Sequence, residues 1–186
     1  MATTADFRNG MVIVLDGTLY TIIEFQHVKP GKGGAFVRTK LKGVVTGKVI
    51  DKTFRAGERT EEARVERRTM QYLYASGDMY YVMDPRTYEQ IPISQSTMGN
   101  AKKYLKEGLE ISVLMYEDSP IAVELPFFVQ LTVAATDPGV RGDTATGGTK
   151  PATLETGAVI QVPLFIDVGD TLKVETRKNE YIERVT

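Results

Sequence analysis

The stretch Lys29-Pro30-Gly31-Lys32-Gly33-Gly34 joins two runs of strand-like sequence. Glycine permits tight backbone paths and proline fixes one torsion, so these residues favour a short hairpin tip. The run before it, Leu19–Val28, is rich in β-branched and aromatic residues, and the run after it, Ala35–Lys42, alternates. The pattern predicts a β-hairpin with the cationic side chain of Lys32 projecting from its tip.

The strand after the tip has a basic face. Alternation places Phe36 with the basic residues, and Lys29 and Lys32 extend the positive charge onto the tip. Such a face suits the phosphates of RNA, although a solvated strand face is an equally good interpretation of this pattern alone. The residues predicted to point inward are Val37, Thr39 and Leu41, and those predicted to point outward are Arg38, Lys40 and Lys42.

Charge is distributed unevenly over the 186 residues. Residues 1–64 carry 11 lysines and arginines against 7 aspartates and glutamates, residues 65–126 carry 6 against 9, and residues 127–186 carry 6 against 8. Six basic residues and no acidic residue lie between Phe25 and Ile50. The first third is therefore predicted to contact a polyanion.

Composition argues against several functional classes. The chain has no cysteine, which excludes a thiol nucleophile, a disulfide and a cysteine metal site. The one histidine, His27, lies in a strand-like run without a nearby carboxylate cluster, so we expect no catalytic residue, no metal site and no cofactor. The sequence has no signal peptide pattern and no apolar run long enough for a membrane span, so a cytoplasmic protein is expected.

The remaining sequence also consists of short predicted strands separated by turn signals, which indicates an all-β chain of small barrels. We predict three domains, residues 1–64, 65–126 and 127–186. Arg55–Arg64 is interpreted as a charged linker, Thr97–Leu105 as the one helix, and Asp137–Pro151 as a long loop. Asp16-Gly17, after the predicted strand Met11–Leu15, predicts a hairpin turn. The further predicted strands are Lys48–Phe54, Val65–Tyr74, Met79–Met83, Glu110–Tyr116, Ile121–Leu125, Phe128–Thr136, Val159–Val162, Thr171–Thr176 and Tyr181–Val185.

The long loop is a second candidate for contact with nucleic acid. A glycine-rich backbone can approach a sugar-phosphate chain closely, and a threonine hydroxyl can contact phosphate. The candidate residues are Gly142, Asp143 and Thr144. A flexible connector remains the alternative interpretation of this loop.

Several motifs resemble those of bacterial translation elongation factor P, in the order of that family and along the whole chain. The segment Val28–Arg38 resembles its modification loop, and Gly142-Asp143-Thr144 together with 150–164 resembles its third-domain signature. Three shorter matches are Thr53-Phe54-Arg55-Ala56-Gly57-Glu58, Met70-Gln71-Tyr72-Leu73-Tyr74 and Asn179-Glu180-Tyr181-Ile182-Glu183-Arg184-Val185.

The resemblance implies an SH3-like (KOW-type) domain followed by two OB-type barrels, in an L of roughly tRNA shape. It implies a monomer that binds the 70S ribosome between the peptidyl and exit sites, beside peptidyl-tRNA, and relieves stalling at consecutive prolines. By the same resemblance, Lys32 is extended by a lysine-modifying enzyme and points toward the CCA end of the tRNA. Gly142, Asp143 and Thr144 match a loop that lies near the mRNA codon in the exit site.

The residues predicted to contact RNA follow from the basic face and the resemblance together. They are Lys29, Pro30, Gly31, Lys32, Gly33, Arg38, Lys40, Lys42, Gly142, Asp143 and Thr144. Two alternatives remain at this stage. The first is a general RNA-binding module that stacks bases on tyrosines such as Tyr74 and Tyr88. The second, an enzyme, has little support because neither a base nor a metal site is evident.

Overall fold

The computed structural model describes residues 1–139 and 147–185, and it folds them into three β-sheets. The first sheet contains β1 (Ala2–Thr3), β2 (Val12–Leu15), β3 (Thr18–Val28), β4 (Phe36–Gly43), β5 (Val49–Arg55) and β6 (Arg59–Glu62). The second contains β7 (Val65–Ser76), β8 (Met79–Met83), β9 (Gln90–Ser94), β10 (Glu110–Tyr116) and β11 (Ser119–Glu124). The third contains β12 (Phe128–Thr136), β13 (Thr149–Leu154), β14 (Val159–Pro163), β15 (Thr171–Glu175) and β16 (Glu180–Val185).

The chain divides into two compact units. One unit consists of residues 1–67 with 114–122, and the other of residues 68–113 with 123–186. Within the described ranges, no helix is long and apolar enough to cross a membrane.

The first sheet has the strand order β1-β6-β2-β3-β4-β5. The turn between β2 and β3 is formed by Asp16 and Gly17, which both have positive φ angles, 50° and 74°. This is the backbone of a tight hairpin, as the Asp-Gly pair predicts. Inward residues of β2, β3, β4 and β5 form an apolar core. The predicted alternation in β4 is confirmed, because its inward residues are buried and its basic residues are exposed.

The predicted linker Arg55–Arg64 is wrong, because half of it is strand. β5 runs to Arg55, and β6 lies between β1 and β2, pairing Thr60 with Ala2 and Glu62 with Ile13. The charged side chains of β6 point to solvent, and Thr60 is the one residue of the strand that is buried. A short strand with one inward residue carries too little apolar signal to be recognised from composition.

The second and third sheets share one topology. Their strand orders are β11-β10-β7-β8-β9 and β14-β13-β12-β15-β16. In both, the first strand of the group is central, with the second and third strands on one side and the fourth and fifth on the other. The same order occurs twice without a recognisable repeat in the sequence, and it agrees with the expected pair of five-stranded OB-type barrels.

The sequence prediction also misses β1, β9 and β13, and it misplaces the helix. Pro92 lies in the middle of β9 and weakens its strand signal, and the first half of β13, ending at Pro151, falls in the predicted loop. β9 is an edge strand, where a missing N–H is tolerated. The predicted helix Thr97–Leu105 is instead α1 (Gln95–Met98) followed by a 3₁₀ helix, Gly99–Tyr104. Gly99 has a φ angle of 55°, which ends the α-helix.

The core of the third sheet also includes a residue from the 3₁₀ helix. Tyr104 is 2% exposed and packs among the inward residues of β12 to β15. Its hydroxyl donates to Oδ1 of Asn179 over 2.6 Å, and the hydroxyl of Thr156 donates to the carbonyl of Lys103 over 2.6 Å. Both contacts lie inside the unit formed by residues 68–113 and 123–186. They attach the 3₁₀ helix to the third sheet.

Glu155 forms an ionic contact in the same region. Its Oε1 accepts from the Thr132 N–H and from Lys106 Nζ, both over 2.9 Å. Partial burial acts to raise the pKa of Glu155, but the hydrogen bonds from Thr132 and Lys106 outweigh it, so this pKa lies below its ordinary value. A depressed pKa contributes stability above the unfolded-state pKa, about 4.3 for glutamate, and this stability is lost as the pH falls through the folded-state value.

We therefore expect Glu155→Gln to reduce stability at neutral pH and to weaken the acid dependence of folding between about pH 5 and pH 3. Glutamine retains an acceptor for the Thr132 N–H but lacks the charge that Lys106 pairs with. Urea unfolding at a series of pH values measures both effects. Glu107→Gln, at an exposed position, is the matched control. Parallel stability curves for Glu155→Gln and the native protein would contradict this account.

Candidate nucleic-acid interface

The tip that carries Lys32 is the connection between β3 and β4. These strands pair as far as Val28 with Phe36, which leaves residues 29–35 as the loop and places Lys32 at its centre. Residues 29–34 are all exposed. Gly33 has a φ angle of 109°, a backbone conformation that side chains disfavour. The loop therefore holds the Lys32 ammonium in solvent, and its side chain has no hydrogen bond or ion pair with any residue that the structure describes.

The basic residues of β4 lie behind this tip on one exposed face. Arg38, Lys40 and Lys42 alternate with buried neighbours along the strand. The guanidinium carbon of Arg38 lies 5.4 Å from the ring centroid of Phe36, which is a cation–π contact. The structure thus brings Arg38, Lys40 and Lys42 to the same face, and it places Arg38 nearest to the tip.

Strand pairing arranges the exposed residues of β3, β4 and β5 in two rows across this face, and only one of the rows contains acidic residues. The row nearer the tip, which we name the tip row, consists of Gln26, Arg38 and Thr53 on β3, β4 and β5. The next row away from the tip, which we name the acidic row, consists of Glu24, Lys40 and Asp51 on the same strands. Nζ of Lys40 lies 3.1 Å from Oε2 of Glu24. A cleft of about 330 Å³ lies over the two rows.

The sequence prediction of a basic face did not include Glu24 and Asp51. Both residues lie just outside the acid-free stretch between Phe25 and Ile50, and pairing across three strands brings them beside Lys40. A bulge in β3 between Ile22 and Glu24 shifts the register of this strand against β4. Ile22 is therefore buried, while Glu24 lies opposite Lys40 on the exposed face. Charge counts along the chain cannot reveal this arrangement, because it depends on register.

The structure describes only some of the other residues that the sequence singles out. Gly142, Asp143 and Thr144 lie outside the described residues. Among the tyrosines, Tyr74 and Tyr81 stack with ring centroids 4.8 Å apart, and Tyr74 is 51% exposed. His27 is exposed and makes an edge contact with Phe25. The described residues contain no group of three or more side chains of the kind that could hold a metal ion.

Comparison with known proteins accounts for the whole chain. Three family models match successive segments: the elongation factor P KOW-like domain at residues 3–60, the elongation factor P OB domain at residues 65–123, and the elongation factor P C-terminal model at residues 129–184. A protein named elongation factor P from Corynebacterium kroppenstedtii is 60% identical over 185 residues, which cover 100% of this chain and 99% of that protein.

The chain belongs to the bacterial elongation factor P family.

Further members of the elongation factor P family support the assignment at similar sequence identity. The protein of that name from Caldanaerobacter subterraneus is 58% identical, with 100% of both chains covered, and that from Rhodococcus erythropolis is 59% identical, with 100% and 99% covered. Proteins of the elongation factor P family are translation elongation factors, which act with the ribosome and are not classical enzymes. The resemblance inferred from the sequence is confirmed, as is an all-β fold with KOW-like and OB domains.

A solved structure shares part of the fold. A translation initiation factor eIF-5A family protein from Naegleria fowleri superposes with a TM-score of 0.52 at 17% identity, covering 67% of this chain and 96% of that one. At this identity the likeness concerns the fold alone.

Proposed function

We propose that this protein binds the ribosome between the peptidyl and exit sites, beside peptidyl-tRNA, and stimulates peptide bond formation at consecutive prolines. The observation that carries the proposal is the exposed Lys32 at the centre of a glycine-rich loop, in a chain that matches the elongation factor P family over its whole length. In this proposal the Lys32 side chain extends toward the CCA end of the tRNA.

The proposed mechanism is positioning rather than acid–base chemistry. Proline has a fixed torsion and a strained geometry in the nascent chain, which disfavour the reactive arrangement of the two substrates. A cationic arm along the CCA end stabilises that arrangement. Correct positioning alone contributes up to about 7–11 kcal/mol in the best intramolecular reactions, so the factor needs no catalytic group of its own.

The remaining site residues form part of the same proposal. The sequence predicts tRNA contacts at Lys29, Pro30, Gly31, Gly33, Arg38, Lys40 and Lys42, and it predicts contact near the exit-site mRNA codon at Gly142, Asp143 and Thr144. We propose domains at residues 1–64, 65–126 and 127–186, and a cytoplasmic monomer. The matches at residues 3–60, 65–123 and 129–184 support these bounds.

We also propose that a dedicated enzyme extends Lys32. An exposed lysine on a protruding loop is accessible to such an enzyme, and the extension would lengthen its reach. Intact mass and peptide mapping of protein purified from its native host are expected to show added mass on Lys32. An unmodified peptide spanning Lys32 in native protein would contradict this part of the proposal. Protein made in a foreign host is the comparison sample.

A second candidate function is general binding of single-stranded RNA, favoured by the stacked and partly exposed pair of Tyr74 and Tyr81. Filter binding separates the two candidates. The proposed function predicts preference for ribosomes carrying peptidyl-tRNA over free single-stranded RNA. General RNA binding predicts comparable affinity for both, together with a loss on Tyr74→Ala and no effect of Lys32→Ala.

A further inference from the structure

The tip row has the chemistry of a phosphate site. Arg38 supplies a guanidinium with several N–H donors, and its neighbours Gln26 and Thr53 supply an amide and a hydroxyl donor. All of these side chains are exposed, and no ion pair joins Arg38 to a carboxylate in the part of the chain that the structure describes. Arginine, glutamine and threonine are residues that commonly contact the sugar-phosphate backbone.

The acidic row, in contrast, disfavours a phosphate. Lys40 is already paired with Glu24, and Asp51 lies opposite Lys40 on the other side. Side chains directly opposite each other in a sheet have Cβ atoms about 4.5–5.5 Å apart, so a phosphate at Lys40 would meet two carboxylates. Such distances are shorter than the Debye length of about 8 Å at physiological ionic strength, so the repulsion is little screened.

Lys42 lies beyond the acidic row and is separated from the tip by it. Its opposite neighbours are Thr21 and Val49, so it carries no adjacent acid in the register. A phosphate chain that reached Lys42 from the tip would have to pass over Glu24 and Asp51. Lys42 is therefore cationic and exposed, but the carboxylates of Glu24 and Asp51 lie between it and the tip.

We propose that the tip row of Gln26, Arg38 and Thr53 binds an RNA phosphate, and that Glu24 and Asp51 end the RNA contact at the acidic row. In this arrangement the two acids are specificity determinants, because they limit the factor to RNA presented at the tip and keep its affinity for RNA in general low. The inference rests on the proposed function and removes Lys40 and Lys42 from the RNA contacts that the sequence predicts.

The test is the salt dependence of binding of the full chain to deacylated tRNA between 50 and 200 mM KCl. Each phosphate contact contributes about 0.9 to the slope of log K against log salt, or about 3.5-fold in affinity over this range. Arg38→Gln is expected to lose one such contact. Glu24→Gln is expected to gain one by freeing Lys40, and the double variant Glu24→Gln/Lys40→Gln is expected to return to the native slope.

Matched controls separate local from overall charge effects. Lys48→Gln removes one exposed cation from the turn between β4 and β5 and is expected to leave the slope unchanged. Glu107→Gln removes one exposed acid from the other compact unit and is expected to behave as the native protein. Thermal unfolding of each variant checks that the fold is retained.

Some outcomes would overturn the inference. They are an equal loss of slope for Lys40→Gln and Arg38→Gln, a Glu24→Gln variant indistinguishable from Glu107→Gln, or no measurable tRNA binding by any variant. The proposed function fails separately, if the native factor does not accelerate proline–proline bond formation. Because the tRNA assay contains no ribosome, that failure leaves the expected order of slopes intact.

Discussion

Lys32→Ala is expected to reduce expression of a polyproline reporter to the level of cells without the factor. The substitution removes the cation from the tip and any group attached to it, while the rest of the face is unchanged. Since the Lys32 side chain is exposed and has no hydrogen bond or ion pair with a described residue, thermal stability is expected to match that of the native protein. A reporter without consecutive prolines is expected to be unaffected.

Lys32→Arg is the informative companion variant. It retains a positive charge on a long side chain but removes the amine that an extending enzyme would modify. Rescue by arginine would assign the function to the bare cation, and loss of rescue would assign it to the extended lysine. Full rescue by Lys32→Ala would contradict the proposed mechanism in either form.

Tyr104→Ala is expected to destabilise the unit formed by residues 68–113 and 123–186 by about 3–5 kcal/mol. The ring is 2% exposed and packs in the core of the third sheet, so its removal leaves a cavity among apolar side chains. It also leaves Oδ1 of Asn179 without the 2.6 Å hydrogen bond from the tyrosine hydroxyl. Urea unfolding followed by circular dichroism measures the loss.

Tyr104→Phe separates the two contributions. Phenylalanine retains the packing and removes the hydroxyl, so a loss of about 1 kcal/mol is expected. Burial raises the pKa of Tyr104, which keeps the hydroxyl protonated as the donor in this bond. Equal losses for the alanine and phenylalanine variants would show that the ring contributes little, contrary to the packing in the structure.

Much of the fold could be predicted from the sequence because most strands carry a clear signal. β8, β10 and β12 have the predicted bounds, and the Asp16-Gly17 turn is correct. The errors occur where the local signal is weak. β6 has one inward residue, and β9 and β13 each contain a proline. Pairing with neighbouring strands stabilises these segments, and local composition does not report such long-range contacts.

Part of the candidate site was also predictable, where the local sequence pattern is clear. Glycines and a proline around Lys32 predict the tip, and alternation in β4 predicts the face of Arg38, Lys40 and Lys42. The acidic neighbours of Lys40 were not predictable, because Glu24 and Asp51 lie 16 and 11 positions from it in the sequence. Their placement requires the register of three strands, including a bulge, which a single sequence does not determine.

The most direct test of the central claim is the single-turnover rate of proline–proline bond formation on purified ribosomes. Peptidyl-tRNA ending in proline reacts with prolyl-tRNA in the presence of native factor, the Lys32→Ala variant, or no factor. The account predicts that native factor raises the rate by about tenfold or more, equivalent to about 1.4 kcal/mol of barrier, and that Lys32→Ala gives the rate without factor. Equal rates with the native factor and without it would contradict the account.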